Sequence, residues 1–382
     1  MTRVTTQSTD GEDAVGDSLR DSVRDSARAV SASGLGAPIG SGARPVMTDV
    51  AQRAGVSQKT VSRVVRGEAN VSDAVRERVN AAIAELGFRP NAAARALVSK
   101  RSNAVGILTP ATALYGPSAE LLGLERAAGR AGLAVLIASA EGGDAQTVTA
   151  AIRRLVDSGV DGLLMGSLLT SEGVDETELH GKPAVVVGDP PEGMHLPAAV
   201  TDQKAGARAA IEHLLTLGHR TVHHLAGPAA WHSAAARTEA WQQALRAAGR
   251  PLTTPAMGDW TSRSGYELGR RLAADPDVTA VFVGNDQMAI GLLRALTEAG
   301  RRVPEDVSVV GFDDIPDAEY LPVPLTTVKQ DFQELADRAV EMFTSLVDEG
   351  ATNHADHHDD RLIVTPELVV RRSTAPPPAS GR

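Results

Sequence analysis

The chain has 382 residues, enough for two or three domains with a large core, and a net charge of −10. It has no cysteine, which excludes a disulfide framework and a thiolate metal site and suits a reducing cytoplasm. No apolar run reaches signal-peptide length near the N-terminus or membrane-span length anywhere, so a soluble cytoplasmic protein is expected.

Residues 1–44 are rich in Ser, Asp and Gly and nearly free of large apolar groups, so they cannot support a core and read as a disordered extension. Within them, Asp17–Arg20, Asp21–Arg24 and Asp25–Arg28 form a tetrapeptide repeat whose Asp/Arg pairs could favour a transient helix.

Residues 45–102 read as three short helices followed by a small hinge. Thr48 can cap a first helix with Val50, Ala51 and Ala54 at helical spacing, and Gly55 and Val56 make a turn. Ser57 caps a second helix, with Val61, Val64 and Val65 inward and Gln58, Lys59, Ser62, Arg63 and Arg66 outward. A third helix starts at Ser72, buries Val75, Val79, Ile83 and Leu86, and stops at Gly87. This is the layout of a helix-turn-helix, in which the start of the second helix enters the DNA major groove. Here that start displays amide, ammonium and guanidinium donors, the groups that read base edges. A plain three-helix core with a solvated face is the competing reading, and charge argues against it. Arg44 to Arg101 carries eleven basic and five acidic residues, about +6, on a chain of −10. A basic module on an acidic protein marks nucleic-acid binding confined to one end.

From Asn103 the pattern alternates between apolar strands and amphipathic helices. Strand-like runs are 104–108, 133–138, 160–165, 184–187, 221–225, 278–283 and 307–312. Helical runs between them include 118–131, 146–157, 206–217, 238–247, 265–273 and 288–299. Such alternation builds parallel sheets covered by helices on both faces, with ligands at the carboxyl ends of the strands. About 270 residues is long for one sheet, so two lobes with a cleft are expected; the family resemblance set out below implies their bounds, about 103–200 plus 332–358, and about 201–330 plus 361–372. Residues 373–382 read as a disordered tail without a leucine heptad, which favours a homodimer over a tetramer.

Several stretches together resemble the LacI/GalR family of bacterial regulators over roughly Val46 to Arg372. They are Asp49-Val50-Ala51, Ala54-Gly55-Val56-Ser57, Thr60-Val61-Ser62-Arg63-Val64 and Gly87-Phe88-Arg89-Pro90-Asn91 in the basic module. Further on come Gly218-His219-Arg220, Leu225-Ala226-Gly227-Pro228, Gly258-Asp259-Trp260, Asn285-Asp286-Gln287 and Gly311-Phe312-Asp313-Asp314. The resemblance implies an α/β protein: an all-α helix-turn-helix headpiece and hinge helix, then a two-lobed periplasmic-binding-protein-like domain of parallel sheets. It implies a repressor bound to double-stranded operator DNA and controlled by a small effector, with neither cofactor nor membrane partner.

By that resemblance Gln58, Lys59 and Arg63 read bases, Ser57, Thr60 and Ser72 touch phosphate, and Asn91 joins the DNA-binding set. Pro90–Val98 is a short Ala-rich hinge helix, and Leu97 falls where the family wedges an apolar side chain between base steps in the minor groove. In the large domain the resemblance places Arg237, Asn285, Asp313 and Gln330 as polar ligand contacts. Trp260 and Phe332 are the aromatic walls, and Leu114 and Pro117 the apolar side. A sugar pocket needs paired donors and acceptors for hydroxyls and a flat ring against the pyranose C–H face. The chain departs from the family pattern at Gly188-Asp189 and at Ala240. Asp313-Asp314 fits a hydroxyl-binding Asp beside a helix-capping Asp better than a catalytic carboxylate pair. The His354–Asp360 run lacks helical metal-ligand framing and reads as a solvated loop, and His223-His224 as structural.

Two functions remain open within this architecture: a repressor released by a sugar such as a β-galactoside or β-glucoside, and a corepressor-dependent regulator using a purine or sugar phosphate. A transport-type binding protein does not explain the basic headpiece. A glycosidase is unsupported, since no nucleophile–base pair, metal motif or phosphate loop is present, so no enzymatic activity is expected.

Overall fold

The computed structural model describes residues 45–65, 67–89, 101–140, 144–166, 175–190, 194–350 and 360–379, in two compact units divided after Pro90. The expectations for 1–44, the hinge helix with Asn91 and Leu97, and most of the His354–Asp360 run lie outside these residues.

The first unit is helical, with α1 Met47–Ala54, α2 Gln58–Val65 and α3 Asp73–Leu86. Its core is small: Val50, Ala51, Ala54, Val61, Val64, Val79, Ala82 and Phe88 are buried. Thr48 does not cap α1, because the helix begins one residue before it. Val46 holds the cap position instead, and its N–H donates to Asp49 Oδ2 at 2.8 Å. Gly55 ends α1 with φ 64° and Gly87 ends α3 with φ 62°, a left-handed backbone that glycine adopts without a Cβ clash. Ser57 Oγ accepts the Thr60 N–H at 3.1 Å, so α2 starts where its cap predicts.

The second unit contains two six-stranded sheets. The first runs β11-β5-β4-β3-β1-β2, with β1 Ala104–Pro110, β2 Ala134–Ala140, β3 Gly162–Gly166, β4 Ala184–Val187, β5 Ala198–Thr201 and β11 Arg361–Val364, all pairs parallel. The second runs β12-β10-β9-β8-β6-β7, with β6 His223–Ala226, β7 Ala256–Met257, β8 Ala280–Val283, β9 Ser308–Asp313, β10 Thr326–Lys329 and β12 Glu367–Val369. Only β12 is antiparallel to its neighbour. Strands such as β4, Ala-Val-Val-Val, are buried at every position because helices cover both faces.

In the first lobe, α4 Tyr115–Arg130 and α10 Phe332–Glu349 pack on one face and α5 Ala145–Asp157 on the other. In the second lobe, α6 Gln203–Thr216 and α7 His232–Ala247 cover one face, and α8 Ser262–Ala274 and α9 Asp286–Glu298 the other. Gly123 is what lets α4 meet α10 closely: a Cβ there would stand 2.8 Å from the Phe332 carbonyl oxygen.

Two boundaries differ from the sequence expectation. Residues 361–364 belong to the first lobe, not the second, because β11 pairs in parallel with β5 (Arg361 with Ala198 through Val364 with Thr201). The chain therefore crosses between lobes three times: after β5, after β10 and after β11. Nor does an unbound tail begin at 373. Ser373 is fully buried, its Oγ donates to the Val309 carbonyl at 2.6 Å, and it accepts the Thr326 N–H at 2.8 Å. His219 bonds Thr279, Ser308 and the Ala375 carbonyl, which explains a histidine after Gly218 as a structural tie. Strands β5, β7, β10, β11 and β12 lie outside the expected runs.

Candidate functional site

On the first unit, Ser57, Gln58 and Lys59 are exposed at the start of α2 and Thr60 and Arg63 are half-exposed along it. Val61 and Val64 anchor the opposite side in the core, so burial fixes which face points outward. Arg63 Nε lies 3.6 Å from Glu68 Oε2, an exposed pair of small energy that leaves the guanidinium available to a polyanion. Ser72 is exposed at the N-cap of α3 and makes no capping side-chain bond.

The second unit has a cleft of about 810 Å³, counting its open mouth, between the carboxyl ends of the two sheets. All eight residues expected at a ligand line it: Leu114, Pro117, Arg237, Trp260, Asn285, Asp313, Gln330 and Phe332. Leu114 and Pro117 follow β1, Arg237 lies on α7 after β6, Trp260 follows β7 and Asn285 follows β8. Asp313 ends β9 and Gln330 follows β10, so strand ends assemble the site from distant segments.

Four polar side chains close into a ring. Arg237 Nε donates to Gln203 Oε1 at 2.8 Å, Gln203 Nε2 to Gln330 Oε1 at 2.9 Å, and Gln330 Nε2 to Asp313 Oδ1 at 2.7 Å. Arg237 Nη2 stands 3.8 Å from the same Asp313 oxygen. The donor-only guanidinium and acceptor-only carboxylate fix both amide orientations. Arg237 also donates to the Gly284 carbonyl, and its Cζ sits 3.7 Å from the Phe312 ring centroid. Burial lowers the Arg237 guanidinium to about 10, against the pull of Asp313 and Asp286, so it stays cationic near neutrality. Burial raises Asp313 to about 6 while Arg237 and the Gln330 hydrogen bond oppose it. Behind it, Asp286 is pushed up to about 8 by burial and by the Asp313 charge.

Trp260 and Asp313 both hold positive φ, 73° and 109°, strain that persists only where surroundings over-determine it. Asn285 Nδ2 donates to the Trp260 carbonyl at 3.1 Å and its Oδ1 caps α9 through Met288, so it fixes the indole loop as well as lining the cleft. Trp260 packs edge-on to Trp231, ring centroids 6.0 Å apart. A Cβ on Gly227 would fall 2.2 Å from the Trp260 ring, so glycine there makes room for the indole. Asp314 is not the expected helix cap: Ile315 caps the following 3-10 helix, and Asp314 pairs with Arg371 at 2.6 Å. His224 is structural, bonded to the Phe282 carbonyl and held down to about 4 by burial.

The cleft also contains Gln203, Glu120, Trp231 and His232, which the sequence did not single out, and Asp189, which the sequence marked as a departure from the family pattern. Gln203 and Glu120 look like ordinary polar positions of amphipathic helices. Only strand order shows that both face the cleft.

A helix-turn-helix unit with a two-lobed body holding a small-molecule cleft defines a class, the DNA-binding regulators built on a binding-protein-like domain. Residues 46–91 match the model of bacterial regulatory proteins of the lacI family, and residues 211–374 match the periplasmic binding protein-like domain. The chain is 36% identical over 308 residues to the lactose operon repressor of Escherichia coli (strain K12), covering 79% of this chain and 85% of that protein. Its structure is similar to that of the lac repressor dimer bound to operator and the anti-inducer ONPF, with a TM-score of 0.76 and 33% identity, covering 87% of this chain and 100% of that one. It is also similar to a complex of the transcriptional regulator CelR with cellobiose, with a TM-score of 0.62 and 31% identity, covering 86% and 100%. The chain belongs to the LacI family of bacterial regulatory proteins, and it is a DNA-binding transcriptional repressor of that family. Among the described residues no helix is long and apolar enough to cross a membrane.

Proposed function

We propose that this repressor is released from its operator by a small neutral sugar, a β-galactoside or β-glucoside, held between the lobes. One observation carries the reading: the ring of Arg237, Gln203, Gln330 and Asp313 belongs both to the cleft and to two of the three interlobe crossovers. A hydroxyl that bonds Arg237 or Asp313 competes with bonds that reach the crossovers. Sugar binding is thereby coupled to lobe geometry. Trp260 and Phe332 offer the pyranose its apolar walls, and Leu114 and Pro117 close the first-lobe side. The lactose operon repressor and the CelR–cellobiose complex support a glycoside effector.

The alternative is a corepressor such as a purine or sugar phosphate. Three carboxylates, Asp313, Glu120 and Asp189, line the cleft beside one guanidinium, which weighs against a phosphorylated ligand.

On the DNA side, Gln58, Lys59 and Arg63 read base edges and Ser57, Thr60 and Ser72 position the phosphates, with Asn91 in the same set and Leu97 wedging the minor groove. Each headpiece covers one half-site, so the repressor acts as a homodimer on a near-palindromic operator, as supported by the operator-bound lac repressor dimer. Calorimetry with methyl β-D-galactoside, methyl β-D-glucoside, adenine, guanine and glucose 6-phosphate tests the effector. Binding of a neutral glycoside supports the reading, and binding of a purine or phosphate alone replaces it.

A further inference from the structure

We infer that Glu68 is a specificity determinant of the DNA reader: its carboxylate holds the Arg63 guanidinium in the orientation that meets a base and keeps it from phosphate. The inference rests on the assignment of Arg63 as a base reader, made above, and extends it to the positioning residue beside it.

A carboxylate is an unexpected group at this place. Asp49 and Asp73 lie in the first turns of α1 and α3, where negative charge suits the helix dipole, and Glu85 pairs with Arg53. Glu68 has no such helical position. It lies in the turn between α2 and α3, with Oε2 at 3.6 Å from Arg63 Nε. A negative charge beside the groups that meet a polyanion weakens binding to every sequence alike. What it can add is discrimination between sequences.

The backbone delivers Glu68 to Arg63. Gly67 takes φ 72°, the left-handed conformation that ends a helix, and its N–H donates to the Val64 carbonyl at 3.0 Å. The Glu68 N–H then donates back to the Arg63 carbonyl at 3.0 Å. On its other side the Glu68 carbonyl accepts from Arg76 Nη2 of α3 at 2.9 Å. One backbone group of Glu68 is therefore tied to Arg63 and the other to α3, so the pairing of the side chains loses little further conformational entropy.

The side chains of Arg63 and Glu68 are 43% and 40% exposed, so in water the pair is worth little. Against DNA, water is displaced, the effective dielectric falls and the attraction strengthens. A guanidinium carries five N–H donors in one rigid plane. The carboxylate stands on its Nε side, which leaves the two Nη groups to meet guanine O6 and N7. A long flexible arginine otherwise swings to the nearest phosphate, a contact that carries no sequence information. Glu68 opposes that swing twice, by holding the Nε edge and by repelling the phosphate.

The test is a binding survey of the full chain. A half-site is selected from a randomised duplex pool, and affinities are measured for that duplex, each single-base variant of it and an unrelated duplex. Wild type, Glu68→Gln, Arg63→Ala and the double variant are compared. Gln keeps the shape and removes the charge, and melting temperature checks the fold. Glu68→Gln should lower discrimination about threefold at the position that Arg63→Ala flattens, with the other positions at wild-type ratios. It should also raise affinity for the unrelated duplex. In the Arg63→Ala background the same change should leave that position as it is, because the two residues act as a unit. Unchanged discrimination in Glu68→Gln, or unchanged affinity for the unrelated duplex, overturns the inference and leaves Arg63 a base reader. So does an equal loss at every position, the mark of a turn that is merely structural. If Arg63→Ala flattens no position, the base-reading assignment itself fails, and the inference with it.

Discussion

Gln203 and Gln330 share a hydrogen bond of 2.9 Å although 127 residues separate them. Each begins a crossover between the lobes: Gln203 opens α6 just after β5, and Gln330 sits between β10 and α10. One is bonded to Arg237 and the other to Asp313, so the bond joins the crossovers to the floor of the cleft. Changes in one part of this ring are felt in the other, because a buried polar group that loses its partner bears a desolvation penalty.

Replacing Gln203 with Leu keeps bulk but leaves Arg237 Nε and Gln330 Oε1 without partners. Stability should fall by about 1–3 kcal/mol, and the glycoside concentration needed for half-release of operator should rise about tenfold. Chemical denaturation and an operator-release titration measure the two effects. Wild-type values in both would show the ring to be incidental.

Gly227→Ala tests the seat of Trp260. The added Cβ would lie 2.2 Å from indole ring carbons, and Gly227 is outside the left-handed region, so displacement of the indole is the main consequence. Overpacking of this kind costs about 1–3 kcal/mol. Tryptophan fluorescence should shift and glycoside affinity should drop about tenfold, the fold-change of 1.4 kcal/mol. Operator affinity in the absence of sugar should stay at the wild-type level.

Much of this arrangement was legible in the sequence, for reasons that differ by residue. The runs at β4 and β8 are apolar throughout because both faces are covered, and α2 shows its buried Val61 and Val64 at helical spacing. Motifs brought Arg237, Trp260, Asn285 and Asp313 to one site. Strand β10 was hidden because two of its four residues are threonines, which are fully buried here, with Thr327 Oγ1 donating to Asp286. Residues 361–364 look like any apolar strand, and only pairing with β5 assigns their lobe. The roles of Gln203 and Asp314 depend on partners far along the chain, Gln330 and Arg371, which no local pattern encodes.

Stability should depend on pH through Asp286. Its folded pKa of about 8 lies far above that of an unfolded Asp near 3.9, so the folded state holds more protons between these values. Stability therefore falls as pH rises through this window, by at most about 1.4 kcal/mol per pH unit for one group. His224, lowered to about 4, gives the opposite slope between about 4 and 6.5, which leaves 6.5 to 8 as the range where Asp286 dominates this pair. Wild-type melting temperature should decline across that range and the Asp286→Asn curve should be flatter. Parallel curves would remove Asp286 as the cause.

Arg63→Ala should weaken operator binding by about 1–3 kcal/mol and relax preference at one base position. Binding to a library of operator variants separates base reading from phosphate contact. Uniform weakening across all sequences would make Arg63 a phosphate contact.

A glycoside in the cleft should release DNA, which anisotropy of a labelled operator fragment measures during sugar titration. Linkage requires the sugar to prefer the low-affinity state, each 1.4 kcal/mol of preference lowering operator affinity tenfold. A β-galactoside or β-glucoside should dissociate the wild-type complex, and Arg237→Ala and Asp313→Ala proteins should hold the operator and ignore the sugar. A sugar that tightens operator binding, or a response confined to a purine or a sugar phosphate, would contradict it.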